Sequence, residues 1–298
     1  MQRHDWTGVL PAITTPFHPD GTLDESFLSD HVRWLLGHRC RGIVALGSLG
    51  EGATLGFEEK VRVLTTCVRA AGGAAPVIAG ISGLSTDECV RLALAAERSG
   101  CSGLMVLPPY VYRTDARETH THFDAVISAT PLSCMLYNNP IAYGTDLLAT
   151  DVAALADRHT NVHAVKESSG DVRRVTALRA VLGDRLTLLA GLDDMILEAV
   201  GVGATGWVAG LVNALPEESV RLFDLACTGR AAEAFALYSW FLPLLRFDTV
   251  MKFVQLIKLV QHEVGHGSET VRPPRLPLST AEREAALAII RPALAQRR

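Results

Sequence analysis

The sequence predicts a (β/α)8 barrel, in which eight parallel strands alternate with helices, followed by a helical extension. Short runs rich in Val, Ile and Leu alternate with amphipathic segments at a regular pace. The runs lack the polar alternation of half-exposed strands, which is typical of parallel strands buried on both faces. The chain has 298 residues, of which 48% are hydrophobic, and this is enough for one barrel of that kind.

The individual elements follow from these runs in chain order. We expect strands over 8–14, 42–47, 76–81, 102–107, 132–138, 162–166, 186–190 and 204–209. We expect helices between and after them over 24–38, 57–71, 86–99, 115–129, 146–158, 171–182 and 193–201. Several helices are predicted to begin at capping side chains, namely Asp24, Thr86, Asp115, Asp146 and Asp171. Gly100 and Gly183 follow predicted helices, as residues that end a helix should.

After the eighth strand the pattern changes to helices alone. These are expected over 216–228, 231–246, 249–264 and 280–296, with a Pro-rich extended stretch over 272–278. We predict a catalytic barrel over 1–212 and a helical extension over 213–298 packed on it, as one domain overall. An open doubly wound sheet is the competing fold. It would usually carry a glycine-rich phosphate turn after the first strand, and Thr14-Thr15-Pro16-Phe17 is not such a turn.

Composition narrows the class of partner. The net charge of −4 and pI near 6.2 give no basic face for nucleic acid. The six cysteines form no CxxC pair and are expected to be small buried hydrophobes. The N-terminal segment lacks the pattern of a signal peptide, and the apolar stretch 199–215 is interrupted by glycines and is shorter than the ~20 residues of a membrane helix. We therefore expect a cytoplasmic protein that binds a small molecule.

Lys166 is the most informative side chain in the sequence. It closes the sixth apolar run, whereas the other three lysines, Lys60, Lys252 and Lys258, lie in segments that predict amphipathic surface helices. Burial disfavours the charged form of lysine, and a neutral lysine is a nucleophile for carbonyl and imine carbons. A salt-bridged lysine at a strand end is the alternative interpretation.

Other polar groups end the neighbouring strands, where a barrel places its catalytic residues. The second strand leads into the segment 47–51, GSLGE, and the fifth into 137–140, YNNP. A glycine turn can expose backbone N–H groups to a carboxylate. Tyr137 can move protons at a carbinolamine beside Lys166, and Ser48 can pass such a proton onward. The structural alternatives are a plain loop turn and a packed tyrosine with a satisfied hydroxyl.

The motifs GSLGE, YNNP and VKESSG resemble those of the dihydrodipicolinate synthase / N-acetylneuraminate lyase superfamily over nearly the whole chain. The resemblance implies a class I, Schiff-base enzyme that needs no cofactor and forms a homotetramer. It implies that Lys166 forms an imine with C2 of a 2-oxo or cyclic 2-imino acid, that Tyr137 is the general acid/base, and that Ser48 joins the proton relay. The substrate-binding residues that it implies are Gly47, Leu49, Asn139, Gly191, Asp193 and Val208.

Departures from the family pattern narrow the expected substrate. Dihydrodipicolinate synthases usually carry two threonines where this chain has Ser48 and Leu49. An arginine that binds the carboxylate of the aldehyde substrate normally follows the tyrosine motif, where this chain has Ile141-Ala142-Tyr143. Val111 stands where a neighbouring subunit usually supplies a tyrosine. A buried anionic substrate would lose its cationic partner, so dihydrodipicolinate synthesis is not expected.

The motif combination is most similar to one branch, the 1-pyrroline-4-hydroxy-2-carboxylate deaminases of hydroxyproline breakdown. GSLGE, YNNP-x-A-Y-G, VKESS, GATGWVAGLVN and GSETVRPPRLPL carry this similarity. It implies ring opening by Lys166, loss of the 4-hydroxyl, and hydrolysis to 2,5-dioxopentanoate and ammonia, so both lyase and hydrolase chemistry are expected. The alternatives are a dihydrodipicolinate synthase-like lyase, an aldolase of 2-oxo-3-deoxy sugar acids that uses Asp193 and Asp194, and a non-catalytic sensor of 2-oxo acids.

One further motif, His262-Glu263-Val264-Gly265-His266, matches the HExxH pattern of zinc enzymes. Gly265 weakens the helix at the point where both imidazoles must share one face. The sequence places no third ligand near them. We therefore expect a helix end here and no metal site.

Overall fold

The computed structural model describes residues 1–297, so Arg298, the last residue of the predicted extension, lies outside the described residues. Eight strands form one parallel sheet in the order β1-β8-β7-β6-β5-β4-β3-β2. A parallel bridge between Ala12 and Val44 joins the ends of this order and completes the barrel. The predicted (β/α)8 barrel is confirmed. The strands are β1 (Gly8–Pro11), β2 (Ile43–Ala45), β3 (Val77–Ile81), β4 (Gly103–Val106), β5 (Ser133–Asn138), β6 (Val162–Glu167), β7 (Thr187–Ala190) and β8 (Gly206–Ala209).

Helices alternate with the strands, as the amphipathic segments predicted. They are α1 (Glu25–Gly37), α2 (Phe57–Ala71), α3 (Thr86–Arg98), α4 (Ala116–Ser128), α5 (Pro140–Tyr143), α6 (Ala149–Arg158), α7 (Arg173–Leu182) and α8 (Ile196–Gly201). The short α5 was not predicted. A 3-10 turn, Asp193–Met195, precedes α8 where one continuous helix was expected.

The predicted helix starts are partly correct. Asp24 and Asp115 each accept a hydrogen bond from the backbone of their helix, as N-caps do. Ser85, not Thr86, caps α3. Asp146 is wrong as a cap, because α6 begins only at Ala149 and the Asp146 carboxylate pairs instead with Arg174. Asp171 precedes the N-cap of α7 by one residue, yet its carboxylate accepts a hydrogen bond from the Arg173 N–H.

The chain after β8 forms four helices that pack on the barrel: α9 (Pro216–Cys227), α10 (Ala231–Leu245), α11 (Phe253–Glu263) and α12 (Thr280–Ala295). Phe241 in α10 and Ile257 in α11 are fully buried, which shows that the extension shares a hydrophobic core with its surroundings. Helix α11 begins later than predicted, because Arg246–Thr249 forms a separate 3-10 turn. The division at residues 212 and 213 stays a prediction.

The HExxH segment ends a helix, as expected. Helix α11 stops at Glu263, and Gly265 adopts a φ of 75°. His266 therefore lies beyond the helix, where its Nε2 is 2.9 Å from the Nδ1 of buried His31. Glu263 pairs with Arg291.

Two predictions from composition can be compared with the structure. Five cysteines are buried and Cys227 is exposed, so the prediction of buried cysteines is confirmed for all but Cys227. Among the helices within residues 1–297, none is both long and apolar enough to cross a membrane.

Candidate active site

Tyr137 and Lys166 are direct neighbours across the barrel sheet. The parallel register of β5 and β6 sets their Cα atoms opposite each other, and Lys166 Nζ lies 4.2 Å from the centre of the Tyr137 ring. Successive side chains of a strand point to opposite faces. Glu167, the next residue, turns away and accepts a hydrogen bond from the Asn138 amide at 3.0 Å. Lys166 and Tyr137 therefore face the barrel mouth together.

Burial controls the charge of Lys166. The side chain is buried, and burial lowers its pKa, while the charges of Asp248, Tyr143 and Asp193 oppose this effect. Lys166 has no salt-bridge partner among residues 1–297, which argues against the alternative of a salt-bridged strand-end lysine. A lysine in this environment is neutral in a larger fraction of molecules than an exposed one, so it is a better nucleophile.

The other three lysines all form salt bridges, and two of them correct the sequence prediction. Lys60 and Lys258 were expected on helix surfaces but are only 4% and 2% exposed. Lys60 pairs with Glu88, and Lys258 pairs with Glu51. Amphipathic patterns do not show these pairs, because each partner comes from a distant part of the chain.

Asn139 holds Tyr137 in position. Its Nδ2 donates a hydrogen bond to the Tyr137 hydroxyl at 3.0 Å, and its Oδ1 accepts one from Ala142 N at 3.0 Å, which caps α5. Burial raises the pKa of Tyr137, and the hydrogen bond from Asn139 opposes this. The phenol is therefore protonated near neutral pH, as a general acid requires, and its ring lies beside Lys166 Nζ.

Tyr143, at the end of α5, is an additional polar group that the sequence analysis did not assign to the site. Its hydroxyl forms a hydrogen bond with Ser48 Oγ, and its ring centre lies 5.7 Å from that of Tyr137. Ser48 thus contacts Tyr143 directly, and the predicted relay from Tyr137 to Ser48 would include Tyr143. The sequence feature that could have identified Tyr143 is its position six residues after Tyr137, on the segment that follows β5.

The glycine turn after β2 leaves adjacent backbone donors free. Glu51 N and Gly52 N bond back to Ser48 O and Gly47 O, at 3.1 and 3.3 Å. The N–H groups of Ser48 and Leu49 donate no hydrogen bond within residues 1–297. Adjacent free N–H groups at a cavity wall suit a carboxylate.

The same turn contains two strained residues and is anchored by the extension. Leu46 and Glu51 have positive φ values of 64° and 53°, which are unfavourable for side chains other than glycine. Lys258 Nζ, from α11, donates hydrogen bonds to Glu51 Oε1 at 2.7 Å and to the carbonyl oxygens of Thr15 and Thr270. Helix α11 therefore stabilises the turn.

These groups surround a cavity of about 470 Å³ at the barrel mouth. The lining includes seven predicted substrate-binding or catalytic residues besides Lys166: Gly47, Ser48, Leu49, Tyr137, Asn139, Gly191 and Val208. Among the lining residues that the structure describes, Lys166 is the one cationic side chain and Asp248 the one carboxylate.

Asp193 lies behind the cavity wall and is not among its lining residues. Its carboxylate accepts hydrogen bonds from Trp207 Nε1 at 2.9 Å, Gly210 N at 3.1 Å and Leu211 N at 2.7 Å. Burial raises its pKa to about 6, and these hydrogen bonds oppose the shift. The contacts support a role in positioning the segment after β8, while the predicted contact with substrate stays a prediction.

Comparison with known proteins identifies the family of this chain. The chain matches the Dihydrodipicolinate synthetase family over residues 5–293. It is 31% identical over 288 residues to the 4-hydroxy-tetrahydrodipicolinate synthase of Pelobacter propionicus, covering 95% of this chain and 97% of that protein. It is 32% identical over 278 residues to the protein of the same name from Acidithiobacillus ferrooxidans, covering 93% and 95%. The solved structure of a prophage protein of the dihydrodipicolinic acid synthase family from E. coli K12, in complex with pyruvate, gives a TM-score of 0.91 at 27% identity, covering 97% of this chain and 99% of that one.

The relationship confirms the family and corrects one detail of the expected chemistry. This is a family of lyases, so the hydrolase class that was expected beside it is not supported. The motifs at the ends of β2, β5 and β6 had predicted the same superfamily. The match spans nearly the whole chain, and the chain therefore belongs to the dihydrodipicolinate synthetase family.

Proposed function

We propose that this protein is a Schiff-base lyase that deaminates 1-pyrroline-4-hydroxy-2-carboxylate to 2,5-dioxopentanoate and ammonia. The observation that carries the Schiff-base chemistry is the pairing of buried Lys166 with Tyr137 beside the free N–H groups of Ser48 and Leu49. The pyruvate complex of the E. coli relative supports binding of a 2-oxo acid by this family.

The charge of the cavity supports a substrate with a single carboxylate. One carboxylate can bind at the Ser48 and Leu49 amides. A second carboxylate would find no cation besides Lys166 among the described lining residues. The segment Ile141-Ala142-Tyr143, where an arginine is usual in the synthases, contains no cationic residue. The cyclic imino acid carries one carboxylate and one hydroxyl, which fits this distribution.

The first half of the proposed reaction attaches the substrate. With the carboxylate held at the turn after β2, Lys166 Nζ attacks C2 of the ring imine. Tyr137 moves protons between the two nitrogens bonded to C2. The bond from C2 to the ring nitrogen then breaks, the nitrogen takes a proton, and the opened chain is bound to Lys166 as an imine.

The second half removes water and ammonia. Loss of a proton from C3 gives an enamine, which expels the hydroxyl from C4. Tautomerisation converts the C5 amine to an imine, and one water molecule releases ammonia to leave an aldehyde at C5. A second water molecule cleaves the imine at C2 and frees 2,5-dioxopentanoate from Lys166.

The test is a comparison of substrates with the purified protein. We expect ammonia and 2,5-dioxopentanoate from freshly prepared 1-pyrroline-4-hydroxy-2-carboxylate. The names of the relatives make 4-hydroxy-tetrahydrodipicolinate synthesis the second candidate. It is tested with pyruvate and the carboxylated aldehyde co-substrate. Turnover of that pair, or cleavage of a 2-oxo-3-deoxy sugar acid to pyruvate, would retain the lysine chemistry and reject the deaminase. Reversible binding of a 2-oxo acid without any turnover would instead indicate a sensor.

The pH dependence follows from the burial of Lys166. Only the neutral amine attacks C2, so kcat/KM should rise with pH as Lys166 loses its proton. Burial lowers the lysine pKa, so the midpoint of this rise should fall below the ordinary value of 10.5. Stopped assays over a series of buffers at constant ionic strength measure it. A midpoint at or above 10.5 would contradict the proposed state of Lys166.

Gly191 is predicted to be intolerant of a side chain. A Cβ at this position would lie 2.7 Å from Lys166 Cε and would collide with Ser168 Oγ. We expect Gly191→Ala to lower kcat/KM about 100-fold, because small displacements of a catalytic group have effects of that size. The matched control is Gly37→Ala in α1, where a Cβ meets no atom within 4 Å. If Gly191→Ala were as active as Gly37→Ala, the displacement of Lys166 would have no effect on kcat/KM, which would contradict this prediction.

We further propose that the protein is a homotetramer that works without a cofactor, as the family resemblance implies. Lys166 itself supplies the electrophilic group once it forms the imine, so the mechanism requires no bound cofactor. Light scattering would test the homotetramer. Activity that persists after exhaustive dialysis against a chelator would support catalysis without a cofactor.

A further inference from the structure

Asp248 is a carboxylic acid inside the cavity that neither the motifs nor the mechanism above has used. We propose that it is the acid that protonates the hydroxyl group leaving C4. The inference rests on the proposed function, because it concerns a step of the same reaction. It adds a catalytic residue that comes from the helical extension and not from a barrel strand.

The structure directs the Asp248 side chain into the cavity. Asp248 belongs to the 3-10 turn Arg246–Thr249, which joins α10 to α11 above the barrel mouth. Its carboxylate packs so closely against Gly210 that a Cβ at that glycine would collide with it. No side chain within residues 1–297 donates a hydrogen bond to Asp248, and the backbone of Asp193 is the one group that acts on its pKa through a hydrogen bond. The Asp248 carboxyl is thus available to a ligand.

Asp248 lies where the far end of the substrate should be. Gly210 follows the lining residue Val208 by two positions, about 7 Å further out at the ~3.3 Å rise of a strand. Strand side chains such as Leu10 and Val44 are fully buried, and side chains of this kind fill the interior of a barrel. With C1 held at the turn after β2 and C2 bonded to Lys166, the remaining carbons must extend outward. This direction brings C4 toward Asp248.

The elimination needs a proton at this end of the substrate. The lone pair of the Lys166 enamine reforms the C2 imine, the electrons of the C2–C3 double bond form C3–C4, and the C4–O bond breaks. The oxygen leaves with both electrons and takes the Asp248 proton, so that water departs. The new Asp248 carboxylate then faces the positive imine of Lys166. A proton lost from C5 during tautomerisation restores the acid.

The surroundings of Asp248 favour the protonated form that this step requires. Burial raises its pKa well above the ordinary value, and repulsion from Asp193 and Asp194 adds to the effect, while the charge of Lys166 opposes it. A carboxylic acid gives up its proton more readily than the Tyr137 phenol does. When its pKa is raised, it also keeps that proton at a higher pH than an ordinary carboxyl group does. Tyr137 can then transfer protons at C2 and C3, while Asp248 protonates the oxygen that leaves C4.

The test compares Asp248→Asn with the wild-type enzyme. Asparagine keeps the shape of the side chain but cannot supply an acidic proton. We expect kcat for ammonia release to fall about 100-fold or more. Borohydride reduction with pyruvate should still label Lys166 in full yield, which shows an intact fold and nucleophile. Reduction during turnover should trap an adduct that keeps the hydroxyl in Asp248→Asn, and adducts lighter by one water in the wild type.

Two further variants and two contrary results complete the test. Asp248→Glu should recover part of the lost rate, and Asp184→Asn, on an exposed carboxylate, should keep the wild-type kcat. A wild-type kcat in Asp248→Asn, or accumulation of its dehydrated adduct, would overturn the role of Asp248 and leave the proposed function standing. No ammonia release by the wild type would overturn the proposed function and this inference together.

Discussion

Lys166→Ala is expected to abolish turnover, with kcat/KM falling by about 10⁴-fold or more, the scale on which loss of a covalent nucleophile acts. Other described lysines cannot substitute for it. Lys60 and Lys258 are held in buried salt bridges, and Lys252 pairs with Glu282 outside the cavity. The measurement is ammonia release, together with mass spectrometry of the protein after borohydride reduction in the presence of pyruvate.

The control for this experiment is Lys252→Ala, which removes a lysine that does not line the cavity. It should keep wild-type turnover and the reduced adduct on Lys166. Lys166→Met adds a second criterion, because burial disfavours the lysine charge and methionine keeps most of the volume. This inactive variant should be no less stable than the wild type. An adduct on another lysine, or turnover by Lys166→Ala within tenfold of the wild type, would contradict the assignment.

The barrel could be predicted from the sequence because its signal is local. Strands buried on both faces appear as short apolar runs, and every observed strand lies within one residue of the run that predicted it. Tyr137 and Lys166 could be predicted as partners because a parallel barrel gathers the carboxyl ends of its strands. The β5–β6 register then places them opposite each other.

The groups that the sequence did not reveal enter the site from outside the strands. Asp248 is separated from β8 by two helices, so its approach to Gly210 depends on how α10 and α11 pack on the barrel. Tyr143 depends on α5, a single turn that is too short for a periodic signal. Local patterns describe which face of a segment is apolar. Local patterns do not show which distant carboxylate a buried lysine will contact. The sequence therefore predicts Lys258 on the surface, although it is buried.

The second large effect is expected for Lys258→Met, which should lower the free energy of unfolding by about 3–5 kcal/mol. The substitution leaves the Glu51 carboxylate fully buried, with Arg272 N at 3.1 Å and Arg275 at 3.8 Å as its remaining partners. Midpoints and slopes of urea denaturation measure the change. The control is Lys252→Met, which removes a lysine from a partly exposed pair with Glu282 and should change stability by less than about 1 kcal/mol.

A double variant separates the stabilisation that the Lys258–Glu51 ion pair provides from the destabilisation caused by an unpaired buried charge. Burial lowers the pKa of Lys258 while Glu51 opposes the shift, so part of their attraction only offsets desolvation. Glu51→Gln combined with Lys258→Met should therefore be more stable than Lys258→Met alone. Because Glu51 holds the turn that presents the Ser48 and Leu49 amides, Lys258→Met should also raise KM for the substrate carboxylate in the fraction that stays folded. A double variant as unstable as the single one would show that the hydrogen bonds of Lys258 to Thr15 and Thr270, and not the charge of Glu51, anchor the turn.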